Sequence, residues 1–274
     1  MELLMVDHEK CKRDGICIAE CPAQIIEFKD KGAFPTIIRG DDEFCINCGH
    51  CVAVCPHGAM SHAIMKPEDC PPLRDEWALG PQQVEHLLRA RRSIRNYKKK
   101  HVKRDVLTKI IDIARYAPSG HNQQPLNWIV IYDSDEVRRL AGMVIDWMHR
   151  LINEKSPLAA IFPFDRIVAA WASGKDRICR GAPHLILAHA HKDDTTAISA
   201  STIALAYLDI AAPSFGLGTC WAGYVTSAAI FWPPMHEALG LPEENLIYGA
   251  MMVGFPKFKY HRLPLRNEAG ITWR

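Results

Sequence analysis

Cys45-Ile46-Asn47-Cys48-Gly49-His50-Cys51-Val52-Ala53-Val54-Cys55-Pro56 is the stretch that decides the fold: four cysteines spaced Cys-x2-Cys-x2-Cys-x3-Cys and closed by a proline. Working outward, the run has an earlier copy at an offset of 34 residues. Cys11 maps onto Cys45, Cys17 onto Cys51, Cys21 onto Cys55, Pro22 onto Pro56, Gly15 onto Gly49 and Asp7 onto Asp41. Residues 1–65 are therefore two copies of one small unit. The copies differ at one telling position, where Asp14 stands in place of Cys48.

This spacing suits a cubane iron–sulfur cluster. Each iron wants one outer thiolate, a tight loop reaches three corners, and the remaining corner is met from the other half of the repeat. It is the run of bacterial ferredoxins, whose fourth cysteine serves the other cluster. Cys21, Cys45, Cys48 and Cys51 are then expected to hold one [4Fe–4S] cluster. Cys11, Cys17 and Cys55 hold the second, with Asp14 at the open corner. The competing reading is a zinc site or scattered structural cysteines. A carboxylate is a harder ligand than a thiolate. The second site is thus read as [4Fe–4S] with an oxygen-bound iron or as [3Fe–4S]. The alternatives are a solvated Asp14 with water at the corner, or Cys70 as a substitute ligand.

Ten cysteines in 274 residues, seven of them between positions 11 and 55, fit metal binding better than disulfides. The apolar run before Asp7 is too short for an export signal, so the expected compartment is a reducing cytoplasm. A net charge of +2 gives no reason to expect nucleic acid as a partner. The longest uncharged stretch, residues 210–235, holds three prolines and three glycines and reads as buried core, not as a membrane span.

Residues 66–81 are proline-rich, lack apolar periodicity and read as a linker. Beyond them Val84, Leu87 and Leu88 mark a helix. Val106 to Ala117 mark another, ended by Pro118-Ser119-Gly120. Residues 128–132, 184–190 and 246–253 read as buried strands. Residues 195–212 are apolar on nearly all faces, so that helix must be covered, here against another subunit. The sum is an α+β domain over residues 82–274 behind the small iron–sulfur domain.

Arg91-Arg92-Ser93-Ile94-Arg95 places three guanidiniums and a hydroxyl within five residues, a set suited to phosphate oxygens. The same run also reads as a solvated charged face, and Lys98, Lys99 and Lys100 are left on the surface. Together with Ala117-Pro118-Ser119-Gly120-His121-Asn122-Gln123-Gln124-Pro125, Gly181 to Leu187, Gly216-Leu217-Gly218-Thr219-Cys220-Trp221 and Arg262-Leu263-Pro264, the segment resembles the FMN-dependent nitroreductase family in order and separation. The resemblance spans nearly all of residues 82–266.

It implies a homodimer with FMN at the subunit interface. Arg91, Arg92, Ser93 and Arg95 match the family's flavin-binding basic motif, and Arg262 the later arginine at the phosphate. Pro118, Ser119, Gly120 and Asn122 match the loop that reaches the flavin ring from the partner subunit. Ala222 and Gly223 fall where the family places backbone near flavin N5. Leu126 replaces a usual Trp, and Tyr260 stands where some members have Lys. Gly216-x-Gly218 lacks the strand and third glycine of a dinucleotide fingerprint. NAD(P)H can nevertheless stack directly on a flavin.

The expected activity is an FMN- and iron–sulfur-dependent reduction of a small nitroaromatic or other conjugated acceptor. The electrons would come from ferredoxin, flavodoxin or NAD(P)H through the clusters. The alternatives are reductive dehalogenation or other flavin-directed chemistry on the same fold, and a non-enzymatic electron carrier or redox sensor. The cofactor carries such chemistry, so no catalytic side chain is named. His121, beside the expected flavin loop, is read first as structural or solvent-facing.

Overall fold

The structure, a computed structural model, describes residues 2–274. It divides into two compact units: Met1–Leu79 with Gly120–Gln123, and Gly80–Ser119 with Gln124–Arg274.

The first unit holds β1 (Leu4–Val6), α1 (Ile16–Ala19), β2 (Ile26–Phe28), β3 (Pro35–Ile37), α2 (His50–Ala53) and β4 (Met60–His62). β1 pairs antiparallel with β4, and β2 with β3. The sequence repeat is also a backbone repeat. The offset carries α1 onto α2 and β2 onto β4. It also pairs three left-handed positions: Arg13 with Asn47, Gly15 with Gly49, and Gln24 with Gly58. A chain that turns three side chains toward one centre within a few residues must reverse direction repeatedly, and left-handed residues make those reversals. At Gly49 (φ 72°) a Cβ would also displace the Met65 sulfur, so backbone and packing both favour glycine there.

The second unit opens with α3 (Pro81–Ala90) and α4 (Arg104–Ala114). Pro81 is the first helical residue of α3, so the linker read from the sequence runs one residue into a helix. α4 stops at Ala114, short of the expected Ala117, and the chain continues to Ala117 in tighter turns, with the Ala117 N–H donating to Ala114 O at 3.0 Å, before Pro118. There follow β5 (Asn127–Ile131), α5 (Ser134–Asn153), α6 (Pro157–Ile161), α7 (Phe164–Ala172), β6 (His184–His191), α8 (Ala197–Ala211), β7 (Gly218–Trp221), α9 (Gly223–Phe231), α10 (Pro233–Ala238) and β8 (Asn245–Gly254).

The last four strands form one antiparallel sheet in the order β5-β6-β8-β7. Strand alternation sorts the core into two layers. Leu185, Leu187, Ile247, Ala250 and Met252 face a layer with Val144, Met148, Phe164 and Val225, from α5, α7 and α9. Ile186, Ala188, Met251 and Val253 face the other, with Leu107, Ile110, Leu205 and Leu208 of α4 and α8. A sheet covered on both faces explains why β6 and β8 are apolar almost throughout.

Residues 210–235 comprise the end of α8, then β7, α9 and the start of α10. The helical stretch Ala197–Phe215 is long and apolar enough to cross a membrane by length and composition. Its inner side packs in the α4 layer, while Ile198 and Tyr207 remain exposed in the single chain.

The core of the first unit is small: Leu4, Cys17, Ile25, Ile26, Val52 and Met60. Units of this size usually need a metal or covalent staple. Stripping iron from the intact protein with a chelator is therefore expected to open Lys10, Arg13 and Lys29 to trypsin, while the sheet unit stays resistant. Equal resistance of both units in the iron-free protein would contradict this.

Candidate functional site

In the first unit the candidate sulfur ligands gather in two groups. The pKa of the Cys51 thiol is pushed up to about 11 by burial and by Cys48, Cys21 and Cys45 around it. That of Cys17 is raised by burial and by Cys55, Cys11 and Asp14. Each set draws on both halves of the repeat, as the crossed assignment requires. A thiol crowded by burial and like charge resists ionising unless a cation sits among the sulfurs, which is what iron supplies. Among the described residues no three His, Cys, Asp or Glu side chains converge as a single metal ion needs. A cubane instead spreads its ligands, one to each iron, so the two sets fit clusters better than a lone zinc ion. Cys21, Cys45, Cys48 and Cys51 also line one hollow together with Leu4, Ile26 and His62.

Asp14 is half engaged. One carboxylate oxygen accepts from the Ile16 N–H at 3.2 Å, and the other faces His57 Nε2 at 3.8 Å. The Cys55 sulfur accepts from the Ala59 N–H at 3.3 Å. Cys70 packs against the unit's core. Cys179 and Cys220 are buried in the sheet unit as small apolar residues.

One residue of this unit, His62, is not singled out in the sequence. His62 is buried, and its Nε2 lies 3.5 Å from the Cys45 sulfur. Burial holds its imidazole below the usual pKa range. Asn122, expected in the flavin loop, belongs to this unit: its amide donates to Ile46 O at 3.2 Å and Asn47 O at 3.0 Å, on the Cys45–Cys48 loop.

In the sheet unit the basic segment is fixed by its neighbour motif. The Ile94 N–H donates to Thr219 O at 2.8 Å. A Cβ on Gly218 would collide with the Ile94 side chain, so only glycine lets the segment lie against β7. This is the physical reason that the two motifs occur together. Arg91 is anchored: its Nη1 pairs with buried Asp209 at 2.9 Å. Asp209 also accepts from the Thr219 hydroxyl. Arg92 differs. Its guanidinium donates to Arg91 O, yet its buried Nε has no partner. An orphaned buried donor costs about 1–3 kcal/mol, and a phosphate oxygen would satisfy it. Arg91 and Arg92 line a cleft of about 520 Å³ with Asp209, Gly218, Lys259 and Tyr260. Lys259 supplies a cation one position before Tyr260. Ser93 is half-buried and Arg95 exposed. Arg262 is exposed beyond β8, outside that lining.

Pro118 and Ser119 line a different cavity of about 360 Å³, with Leu126, Trp128, Ala200 and Ala204. Ser119 Oγ accepts from the Gln124 N–H at 3.0 Å. His121, Asn122 and Gln124 all have positive φ, a concentration of backbone strain typical of ligand loops. Gly120 is exposed. Ala222 is buried with its N–H on Ala250 O at 2.8 Å, and Gly223 is exposed as the first residue of α9.

The division of labour between the two arginines is testable. Arg91→Ala strands a buried carboxylate and is expected to cost about 3 kcal/mol of stability. Arg92→Ala removes an orphaned donor together with its bond to Arg91 O, two effects of opposite sign, and should leave the melting temperature nearly unchanged. Thermal unfolding of the two variants separates the roles.

Comparison with known families matches residues 88–255 to the nitroreductase family and residues 10–59 to the 4Fe-4S dicluster domain. An NADH dehydrogenase of Thermus thermophilus is 28% identical over 199 residues, covering 67% of this chain and 92% of that protein. Two solved structures share the fold. One is a nitroreductase with bound FMN from Bacteroides fragilis, with TM-score 0.57, 22% identity and coverage of 69% of this chain and 97% of that one. The other is a nitroreductase with bound FMN from Desulfitobacterium hafniense, with TM-score 0.57, 18% identity and coverage of 71% and 99%. The family match covers well over half of the chain, with the dicluster domain ahead of it: the chain belongs to the nitroreductase family of flavin-dependent oxidoreductases and carries an N-terminal 4Fe-4S dicluster domain.

Proposed function

We propose that the protein takes electrons from an external donor through two iron–sulfur clusters to FMN and reduces a small nitroaromatic or other conjugated acceptor. What supports this reading is that the seven cysteines and Asp14 gather in two groups, each drawing on both halves of the repeat, within a chain that also has the nitroreductase fold. FMN, when bound, converts single electrons into pairs delivered as hydride; the protein's part is to bind, orient and shield it. Arg92, with its unsatisfied Nε, and Lys259 are the donors for the phosphate, while Asp209 fixes the backbone they stand on through Arg91. Ferredoxin, flavodoxin and NAD(P)H are the electron donors to test.

A homodimer is part of the proposal. Within one chain the basic segment and the Pro118–Ser119 loop line different cavities. A shared site needs the loop from a second copy. The exposed side of α8, with Ile198 and Tyr207, offers apolar surface for that copy. The domain limits of 1–65, 66–81 and 82–274 remain the proposed frame for separating the electron-carrying and flavin parts.

Replacing Arg92 and Lys259 together with Ala is expected to release flavin while the fold is kept, since phosphate is held by charge-assisted bonds. A double variant that keeps its full yellow colour, measured by absorbance after desalting, would place the phosphate elsewhere. At the clusters, Asp14→Cys should convert an air-labile site into a stable [4Fe–4S] cluster. EPR of the air-exposed protein is expected to show a [3Fe–4S] signal that the variant lacks; identical spectra would mean that Asp14 does not touch iron.

A further inference from the structure

The two halves of the repeat differ at a second position. The offset of 34 that superposes β2 on β4 maps Phe28 onto His62. Phe28 lies against Gly15, its ring 3.4 Å from where a Cβ would stand, and has no polar hydrogen to offer. His62 is only 2% exposed, and both ring nitrogens are engaged. Its Nδ1 accepts from the Ile64 N–H at 3.2 Å. A nitrogen that accepts carries no proton, so the ring hydrogen sits on Nε2. Nε2 lies 3.5 Å from the Cys45 sulfur, within reach of an N–H···S bond. The backbone that carries the ring is fixed. The His62 N–H donates to Met65 O at 2.9 Å, and the Met65 N–H returns to His62 O at 3.0 Å, closing a tight turn at the end of β4. His62 also pairs with Leu4 across the β1–β4 ladder.

We propose that His62 raises the reduction potential of the cluster held by Cys21, Cys45, Cys48 and Cys51 by donating its Nε2–H to the Cys45 sulfur. The proposal rests on the two-cluster reading and deepens it. Reduction adds one electron to a cluster and increases the negative charge on its sulfurs. A donor aimed at one of those sulfurs stabilises the reduced form more than the oxidised form, and hydrogen bonds to sulfur are one of the protein's levers on potential. No proton moves in this step; the imidazole stays neutral and only the strength of its bond changes. The first copy has Phe28 at this position, so its cluster lacks the equivalent bond. His62 is a positioning residue here. It acts on the cluster through a ligand and adds a second difference between the two clusters to the one that Asp14 makes.

The test is an EPR-monitored redox titration of the full-length, anaerobically reconstituted protein, with iron analysis on the same samples. His62→Phe, which copies the first half of the repeat, is expected to lower the potential of one cluster. The shift should be on the order of tenfold in its one-electron equilibrium, about 59 mV, with the other cluster unmoved. His62→Gln, which keeps an N–H at the end of its side chain, should recover part of the shift. Two intact clusters whose potentials are unchanged in His62→Phe, or move together, would overturn the inference and leave the two-cluster reading standing. An iron count near four in the wild type would instead remove that reading and the inference with it. Should His62→Phe fail to assemble, the wild type decides. Pulsed EPR of the reduced protein with ¹⁵N-labelled histidine should show a weak nitrogen coupling that His62→Gln lacks, and its absence from the wild type would overturn the inference.

Discussion

A cubane needs thiolates at its corners, and a short chain can meet that need only by bending sharply around it. That constraint governs the first unit. It accounts for left-handed backbone at Arg13 and Asn47, at Gly15 and Gly49, and at Gln24 and Gly58, all at equivalent places in the repeat. It accounts for helices of four residues and strands of three, too short to be stable alone. It also explains the crowding of thiols whose pKa values are raised until iron takes the charge.

The sheet unit answers a different demand, that of holding a basic segment still. Arg91 is tied to Asp209, and Ile94 is tied to Thr219 across the space that Gly218 leaves open. Asp209 itself sits on α8, buried between Arg91 and Thr219. One buried carboxylate thus aligns a helix, a strand and an arginine-rich loop. Arg92 is left with a donor still to satisfy, so the proposed phosphate contact falls to the arginine next to the anchor.

The cluster unit was legible because its repeat is written in cysteines, glycines and prolines, the residue types whose roles depend least on context. The nitroreductase fold was legible as a set of motifs. What stayed hidden were partners far apart in the chain. Asp209 lies 118 residues from Arg91, and nothing local in the sequence marks it as buried. His62 could have been found: extending the 34-residue comparison past Pro22 sets Phe28 against His62. α5 was equally within reach. Asp133 caps it, and Val137, Leu140, Ala141, Val144 and Met148 recur at helical spacing. Left-handed backbone at Arg13 and Gln24 could not be read, because neither residue type announces it.

The central claim is that electrons reach the flavin through clusters held in the same polypeptide. It is tested most directly by photoreducing the clusters of the reconstituted protein and following flavin reduction by absorbance over a range of protein concentrations. The account predicts flavin reduction at a rate independent of concentration, as an intramolecular transfer requires. A rate that rises in proportion to concentration, or a flavin that stays oxidised while the clusters remain reduced, would contradict it.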